Sequence, residues 1–152
     1  MVNMNSYYSR AMNDLDFAEH DLVVGRKRDD FNNVAVLCAQ AGEKFLKAIF
    51  EPAFAEEPSC ADLMKTHNLR TLCNKINTKY TLTVSSRDCK WLGDFYLEAS
   101  YPGKKFAVVS KDDAVECIDL AKQIKKDTDS ILAEIQKERD EMRKVLDTMR
   151  AF

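Results

Sequence analysis

The C-terminal part of the chain, from residue 111 to residue 149, carries apolar or small residues at steps of mostly three and four. This spacing places them on one face of an α-helix, and a capping-box-like Ser-Lys-Asp-Asp sequence at 110–113 marks the helix start. The residues predicted to face inward are Cys117, Ala121, Ile124, Thr128, Ile131, Ile135, Met142, Val145 and Met149. Such a helix would be roughly 60 Å long, about twice what a small bundle can cover. Its distal part must therefore find another surface or fray.

The apolar series lapses at Glu138 and Arg139, which leaves more than one outcome open for the end of this helix. Either the helix bends or ends there, or the segment from Met142 to Phe152 packs on a second copy of the chain. Self-association is favoured over fraying. We therefore predict one domain over residues 1–152, in which residues 139–152 form a C-terminal helical extension.

Helical periodicity extends through most of the remaining sequence, and only four glycines and three prolines interrupt its 152 residues. With 45% hydrophobic residues, the chain has enough apolar material for the core of one domain. We predict an all-α fold. The predicted helices cover about 6–24 and 29–50, begin near 66–68 and after 85 or 86, and end with the long helix from 111.

Two residues of the second helix mark how it packs and where it ends. Gly42 inside the helix indicates close contact with a neighbouring helix, and Pro52 is expected to prevent continuation beyond it. Residues 51–65, with two prolines and a Glu-Glu pair, are predicted to be the longest irregular connection. They are the best candidate for a mobile loop.

Bulk charge and cysteine usage exclude several classes of protein. A formal charge of −2 and a pI near 5.7 give no overall basic surface for nucleic acid, so any RNA contact would be local. Five cysteines without CxxC spacing favour a reduced, cytoplasmic protein, and no segment resembles a signal peptide or a membrane span. Cysteine and histidine never fall at zinc-site spacing, and no phosphate-cradling glycine motif is present. We predict no metal, no cofactor and no membrane partner.

The segment 40–48, Gln-Ala-Gly-Glu-Lys-Phe-Leu-Lys-Ala, combines an apolar seam with a polar stripe at helical spacing. One interpretation is an ion pair between Glu43 and Lys47 on a solvated helix face. The other is a phosphate or nucleotide site, in which the two lysines supply charge, the glutamine reads a base or sugar, and a histidine and a tyrosine close the groove. The candidate ligand-binding residues of this second interpretation are Gln40, Glu43, Lys44, Lys47, His67 and Tyr101. The first interpretation is favoured.

Three segments of the chain have to be considered together. The first is residues 40–48, the second is His67-Asn68-Leu69 with Leu72, and the third is Tyr96 with Tyr101-Pro102. In this order they resemble the second-helix signature, the His-Asp-Leu segment and the Tyr-x(3–4)-Arg-Tyr-Pro stretch of the HEPN family of helical domains (higher eukaryotes and prokaryotes nucleotide-binding). The resemblance covers about residues 8–135. It implies an up-and-down bundle of four to five helices, usually a homodimer, associated with nucleotide binding, RNA cleavage, or a minimal nucleotidyltransferase partner in toxin–antitoxin pairs.

The catalytic Arg-x(4–6)-His motif of HEPN nucleases is absent from this chain. His20 and His67 are the only histidines, no arginine precedes either at that spacing, and Ser100 stands where the Arg-Tyr-Pro variant has arginine. We therefore predict no catalytic residues and favour a nucleotide- or RNA-associated binding module. A metal-independent endoribonuclease toxin and a dimeric interaction scaffold remain alternatives.

Individual histidines and aromatic residues have simpler structural explanations. We expect His67 to cap or pack at the start of the third helix, with a hydrogen bond to nearby backbone or to the Glu43 region. His20, between two acidic residues, is expected to be exposed. Trp91, Phe95 and Tyr96 lie at helical positions where core packing explains them.

Overall fold

The computed structural model describes residues 4–152, and within this range the chain forms helices and no strand. The helices are α1 (Tyr7–Arg28), α2 (Asn32–Phe54), α3 (Cys60–Leu63), α4 (Leu69–Ile76), α5 (Ser86–Glu98) and α6 (Lys111–Arg150). The prediction of an all-α bundle with a long C-terminal helix is confirmed. The single-turn helix α3 is an addition to the five predicted helices. No helix in the described range is both long and apolar enough to cross a membrane.

Helix α2 is the centre of the fold, because it contacts α1, α4, α5 and α6. Gly42 is the position of closest approach. A Cβ atom there would lie 3.1 Å from Leu69 Cδ2 and 3.2 Å from Ile124 Cδ1, which is tighter than ordinary van der Waals contact. The prediction that this glycine marks a close helix contact is therefore confirmed.

Pro52 does not end α2, contrary to the prediction. The helix continues to Phe54, so the proline lies within its last turn. Ala53 and Phe54 are buried, and the Phe54 ring lies 5.0 Å from the Phe50 ring. Burial of these side chains offsets the hydrogen bond that the proline cannot donate.

The predicted irregular connection over residues 51–65 is also partly wrong. Its first residues belong to α2 and residues 60–63 form α3. The longest irregular connection instead covers residues 99–110, between α5 and α6. Most residues of this connection are exposed, and it lies beside the cleft described below.

Helix α1 extends four residues beyond its predicted end at Val24. Its last turn contains Arg26, Lys27 and Arg28, where positive charge interacts favourably with the C-terminal end of the helix dipole. The reversal into α2 follows at Asp29, which has φ 53°. This basic cluster therefore lies on a helix and not in the connection.

Asp127, on α6, is a buried carboxylate that holds the connection before α5. It accepts hydrogen bonds from the Thr83 backbone N–H (2.9 Å), the Thr83 hydroxyl (2.6 Å) and the Val84 backbone N–H (3.1 Å). A carboxylate with three donors can remain buried because its desolvation is compensated.

Helix α6 continues without interruption through Glu138 and Arg139, so it does not end there. Tyr80 donates a hydrogen bond to Glu138 Oε2 at 3.1 Å. The buried face of α6 ends at Ile135. The three outermost positions predicted to face inward, Met142, Val145 and Met149, are exposed.

The cysteines lead to a prediction about thiol reactivity. Cys38, Cys73, Cys89 and Cys117 are buried, and Cys60 is half-buried. Burial raises the pKa of the Cys117 thiol to about 12 and also raises the pKa of Cys38. Because thiolate is the reactive form, we expect one fast-reacting thiol, Cys60, in native protein treated with a chromogenic disulfide. A Cys60→Ser variant that keeps its fast-reacting thiol would contradict this assignment.

Candidate functional site

A cleft of about 820 Å³ lies between the start of α4, the later turns of α5 and the connection 99–110. We refer to it as the α4–α5 cleft. Its charged and aromatic lining residues are His67, Arg70, Lys90, Asp94, Tyr96, Glu98, Tyr101, Lys104, Lys105 and Phe106. A concave space of this volume is within the range of small-ligand sites.

His67 is positioned by the start of α4. Asn68 caps this helix by accepting a hydrogen bond from the Thr71 N–H at 3.0 Å, which fixes the backbone immediately after the histidine. The imidazole stacks on the Tyr96 ring, with 5.3 Å between ring centroids and 10° between planes. Tyr96, predicted as a core residue, is half-buried and lines the cleft.

A buried ion pair lies directly behind His67. Glu43 Oε1 is 2.8 Å from His67 Nδ1, and Lys47 Nζ donates to Glu43 Oε2 at 3.1 Å. The side chains of Glu43 and Lys47 are 11% and 5% exposed, whereas that of His67 is 62% exposed. The predicted pairing is present, but the prediction of a solvated face is wrong. Glu43 instead connects a buried lysine to an imidazole in the cleft.

Three cations line the cleft without a carboxylate partner. Within residues 4–152, Arg70, Lys104 and Lys105 form no ion pair. Lys90 differs, since it pairs with Asp94 at 2.8 Å. Glu98 also lines the cleft. The lining therefore carries four cations and two carboxylates, a net charge of +2 that is due to the unpaired cations.

Asn32, the first residue of α2, fixes the path of the connection that carries two of these cations. Its amide Nδ2 donates to the carbonyl oxygens of Ala99 (3.1 Å) and Ala107 (2.9 Å), and its Oδ1 accepts from the Val109 N–H at 2.9 Å. The Ala107 N–H also donates to the Glu98 carbonyl at 2.7 Å. One amide side chain thereby satisfies three backbone groups at both ends of the connection.

Comparison with known protein families matches residues 4–132 to the HEPN domain. The chain belongs to the HEPN family. The resemblance drawn from residues 40–48, His67 and Tyr101-Pro102 is therefore confirmed. No curated protein and no solved structure matches the chain significantly. The family supports a helical module associated with nucleotides or RNA, and the match ends inside α6, before its exposed distal turns.

The HEPN bundle brings only some of the predicted ligand-binding residues to one place. His67 and Tyr101 line the cleft, and Tyr101 is 64% exposed. Glu43 and Lys47 lie behind His67 without lining it. They can position the imidazole but are too buried to meet a ligand directly.

Lys44 and Gln40 lie outside the cleft. Lys44 follows Glu43 in the sequence, but adjacent residues of a helix point about 100° apart. Lys44 therefore points away from His67, and its Nζ pairs with Asp14 Oδ2 on α1 at 2.5 Å. Gln40 is half-buried and does not line the cleft. The structure therefore does not bring these two residues into the cleft with His67.

Sequence reasoning missed the contribution of Arg70 and Lys90 to this HEPN cleft. Arg70 lies on α4 and Lys90 on α5, and nothing in their local sequence indicates that the two helix faces meet at one cleft. The Lys104-Lys105 pair is a short basic cluster in the sequence, and it lies in the connection between α5 and α6. Across residues 4–152, no group of three or more His, Cys, Asp or Glu side chains could hold a metal ion.

Proposed function

We propose that this HEPN protein binds a nucleotide or single-stranded RNA in the α4–α5 cleft. The observation that carries the proposal is the set of three unpaired cations, Arg70, Lys104 and Lys105, around a cleft that also presents aromatic rings. Phosphate oxygens are the natural partners of such cations. The family's association with nucleotides and RNA points in the same direction.

Aromatic surfaces in the cleft provide the second part of such a site. Tyr101 and Phe106 are 64% and 46% exposed, and the stacked pair of His67 and Tyr96 forms one wall. Bases stack on exposed aromatic rings with little dependence on sequence. A phosphate on the lysines and a base on a ring would together fit a nucleotide or one step of an RNA strand.

Binding is tested with a fluorescent single-stranded RNA and with ATP, using wild-type protein and the double variant Lys104→Ala/Lys105→Ala. We expect the variant to bind RNA about tenfold or more weakly at low salt. Its slope of log K against log salt should be shallower by about 1.4, since each lost phosphate contact removes about 0.7 for a single strand. The measurement is fluorescence anisotropy across a salt series.

A matched control is Lys137→Ala/Lys144→Ala, which removes the same charge from exposed positions on α6, far along the chain from the cleft. This control should bind as the wild type does. Equal weakening in both variants would mean that RNA responds only to net charge. Absence of binding by wild-type protein to both RNA and ATP would refute the proposal.

RNA cleavage is a second candidate, favoured by one observation. Glu43 accepts the hydrogen bond of His67 Nδ1, and Nε2 makes no hydrogen bond within the described residues. A carboxylate that fixes one imidazole nitrogen leaves the other to take a proton from a 2′-hydroxyl. The absent Arg-x(4–6)-His motif weighs against this candidate relative to binding alone.

Cleavage is tested by incubating single-stranded RNA with wild-type and His67→Ala protein in the presence of a chelator. If the candidate is correct, we expect cleavage by the wild type and a loss of about 100-fold or more in the variant, the usual range for a general base. Activity that survives His67→Ala would come from another site or from a contaminant.

A nucleotidyltransferase partner, which the family resemblance implies, stays a prediction that co-purification from co-expressed chains can test.

A further inference from the structure

The distal turns of α6 carry an apolar stripe that nothing in the described chain covers. Met142, Val145, Leu146 and Met149 are 60%, 54%, 46% and 68% exposed, and Phe152 is fully exposed just beyond the helix. All residues from 136 to 152 are exposed. Charged residues fill the opposite face of these turns, so the apolar residues are concentrated on one side.

This stripe is in phase with the part of α6 that packs on the bundle. The buried series steps alternately by three and four, through Ala114, Cys117, Ala121, Ile124, Thr128, Ile131 and Ile135. Continuing the same steps gives Glu138, Met142, Val145, Met149 and Phe152. The positions through Met149 are the a and d positions of one unbroken heptad series within α6, and Phe152 follows at the next d spacing just beyond the helix. Only Glu138 is polar among these positions beyond the bundle.

Glu138 marks the end of the bundle-facing segment. It accepts a hydrogen bond from Tyr80, a residue of the connection that precedes α5. Beyond it, α6 has the pattern of a coiled-coil strand without a facing strand. Two heptads alone are too short for a stable isolated helix in water, so a facing helix would stabilise this end of α6.

We propose that the facing helix is the same segment of a second copy, in antiparallel orientation. Met142 then lies opposite the partner's Phe152, and Val145 lies opposite the partner's Met149. The twofold axis repeats both contacts, which gives four apolar layers. Leu146, at the flanking e position, meets the partner's Leu146 beside the axis. Every apolar residue of the stripe is used, and no charged residue enters the seam.

The orientation follows from Glu138. In a parallel pair Glu138 would lie opposite the partner's Glu138, in the layer next to Met142. Two carboxylates would then be brought together in an apolar seam. In the antiparallel pair the two Glu138 residues lie outside the four apolar layers, at opposite ends of the seam. The stripe is thus complementary to itself in one orientation, which is the property required of a symmetric homodimer.

The interface is small, because each chain contributes five apolar side chains. Interfaces below about 1,200 Å² are commonly weak and transient, so we expect dissociation in roughly the micromolar range. The dimer would be reversible and dependent on protein concentration. It does not involve the α4–α5 cleft, so a failure of the proposed function leaves it intact.

The test is sedimentation velocity of the full chain from low to high micromolar concentration. Wild-type protein should change from monomer to dimer across this range. The variant Val145→Glu/Met149→Glu should dimerise at least about tenfold more weakly, with an unchanged thermal midpoint because both residues are exposed. A wild type that is monomeric throughout, or a variant that dimerises normally, would overturn the proposal.

A matched control keeps charge out of the comparison, and crosslinking reports the orientation. Arg143→Gln/Arg150→Gln shifts net charge by the same amount on the outward face and should dimerise like the wild type.

A short bismaleimide should join Leu146→Cys chains but not Met142→Cys chains, whose sulfurs would be about 15 Å apart along the axis. Wild-type protein measures the background crosslinking that arises from the half-buried Cys60. Preferred crosslinking at position 142 would contradict the antiparallel arrangement.

Discussion

Replacing Glu43 by alanine is expected to lower the free energy of unfolding by about 3–5 kcal/mol, the range for breaking a buried ion pair. The reason is the lysine left behind. The side chain of Lys47 is 5% exposed, and Glu43 accepts its hydrogen bond, so the variant would bury an uncompensated ammonium group. Urea denaturation of the two proteins measures the difference.

The double variant Glu43→Leu/Lys47→Met separates charge from packing. It removes both ionised groups and fills the space with apolar side chains, so it should recover most of the stability that Glu43→Ala loses. His67 would lose its partner in both variants, but its side chain is 62% exposed and can be solvated. A loss in the double variant as large as in the single variant would show that packing, and not the unpaired charge, dominates.

A second large effect is expected from Asp127→Ala, at about 3–5 kcal/mol. This carboxylate accepts three hydrogen bonds from Thr83 and Val84. Its removal leaves the buried Val84 N–H and two partly buried Thr83 donors without this partner, at a cost of about 1–3 kcal/mol for each donor that water does not reach. The connection before α5 would lose its attachment to α6, so we expect the midpoint of thermal unfolding to fall substantially.

Asp129→Ala is the matched control, with the same change of charge on the same helix. Asp129 also accepts hydrogen bonds, from Tyr8 at 2.6 Å and Lys125 at 2.9 Å, but its side chain is 43% exposed. Water can replace these partners, so the expected loss is below about 1 kcal/mol. Comparable losses in the two variants, measured by calorimetry, would contradict a special role for Asp127.

Helical periodicity predicted the bundle because packing, in this chain, follows local pattern closely. All four residues at apolar helical spacing on α4 are buried, namely Leu69, Leu72, Cys73 and Ile76. The prediction for the end of α2 was wrong because the rule for proline considers only the local backbone. The burial of Phe54 against Phe50 depends on tertiary contacts, which that rule does not include. Sequence spacing also predicted the long helix, but only the structure shows that its last inward positions are uncovered.

The candidate site was predicted only where one contact determined it. Glu43 with Lys47 follows from helical spacing, and its link to His67 followed from the expected position of the α4 start. The pairing of Lys44 with Asp14 could not be predicted, because it depends on how α1 lies against α2. The cleft itself was not predicted, since its cations come from α4, α5 and a connection that only the fold brings together.

The attachment of residues 99–110 by Asn32 makes the rim of the cleft replaceable. Both ends of the connection are held through backbone groups, at Ala99, Ala107 and Val109. Backbone groups are present whatever the side chains are. The sequence between the two ends, residues 100–106, can therefore change without loss of its anchors, and new chemistry can be placed at the mouth of the cleft while the bundle stays the same.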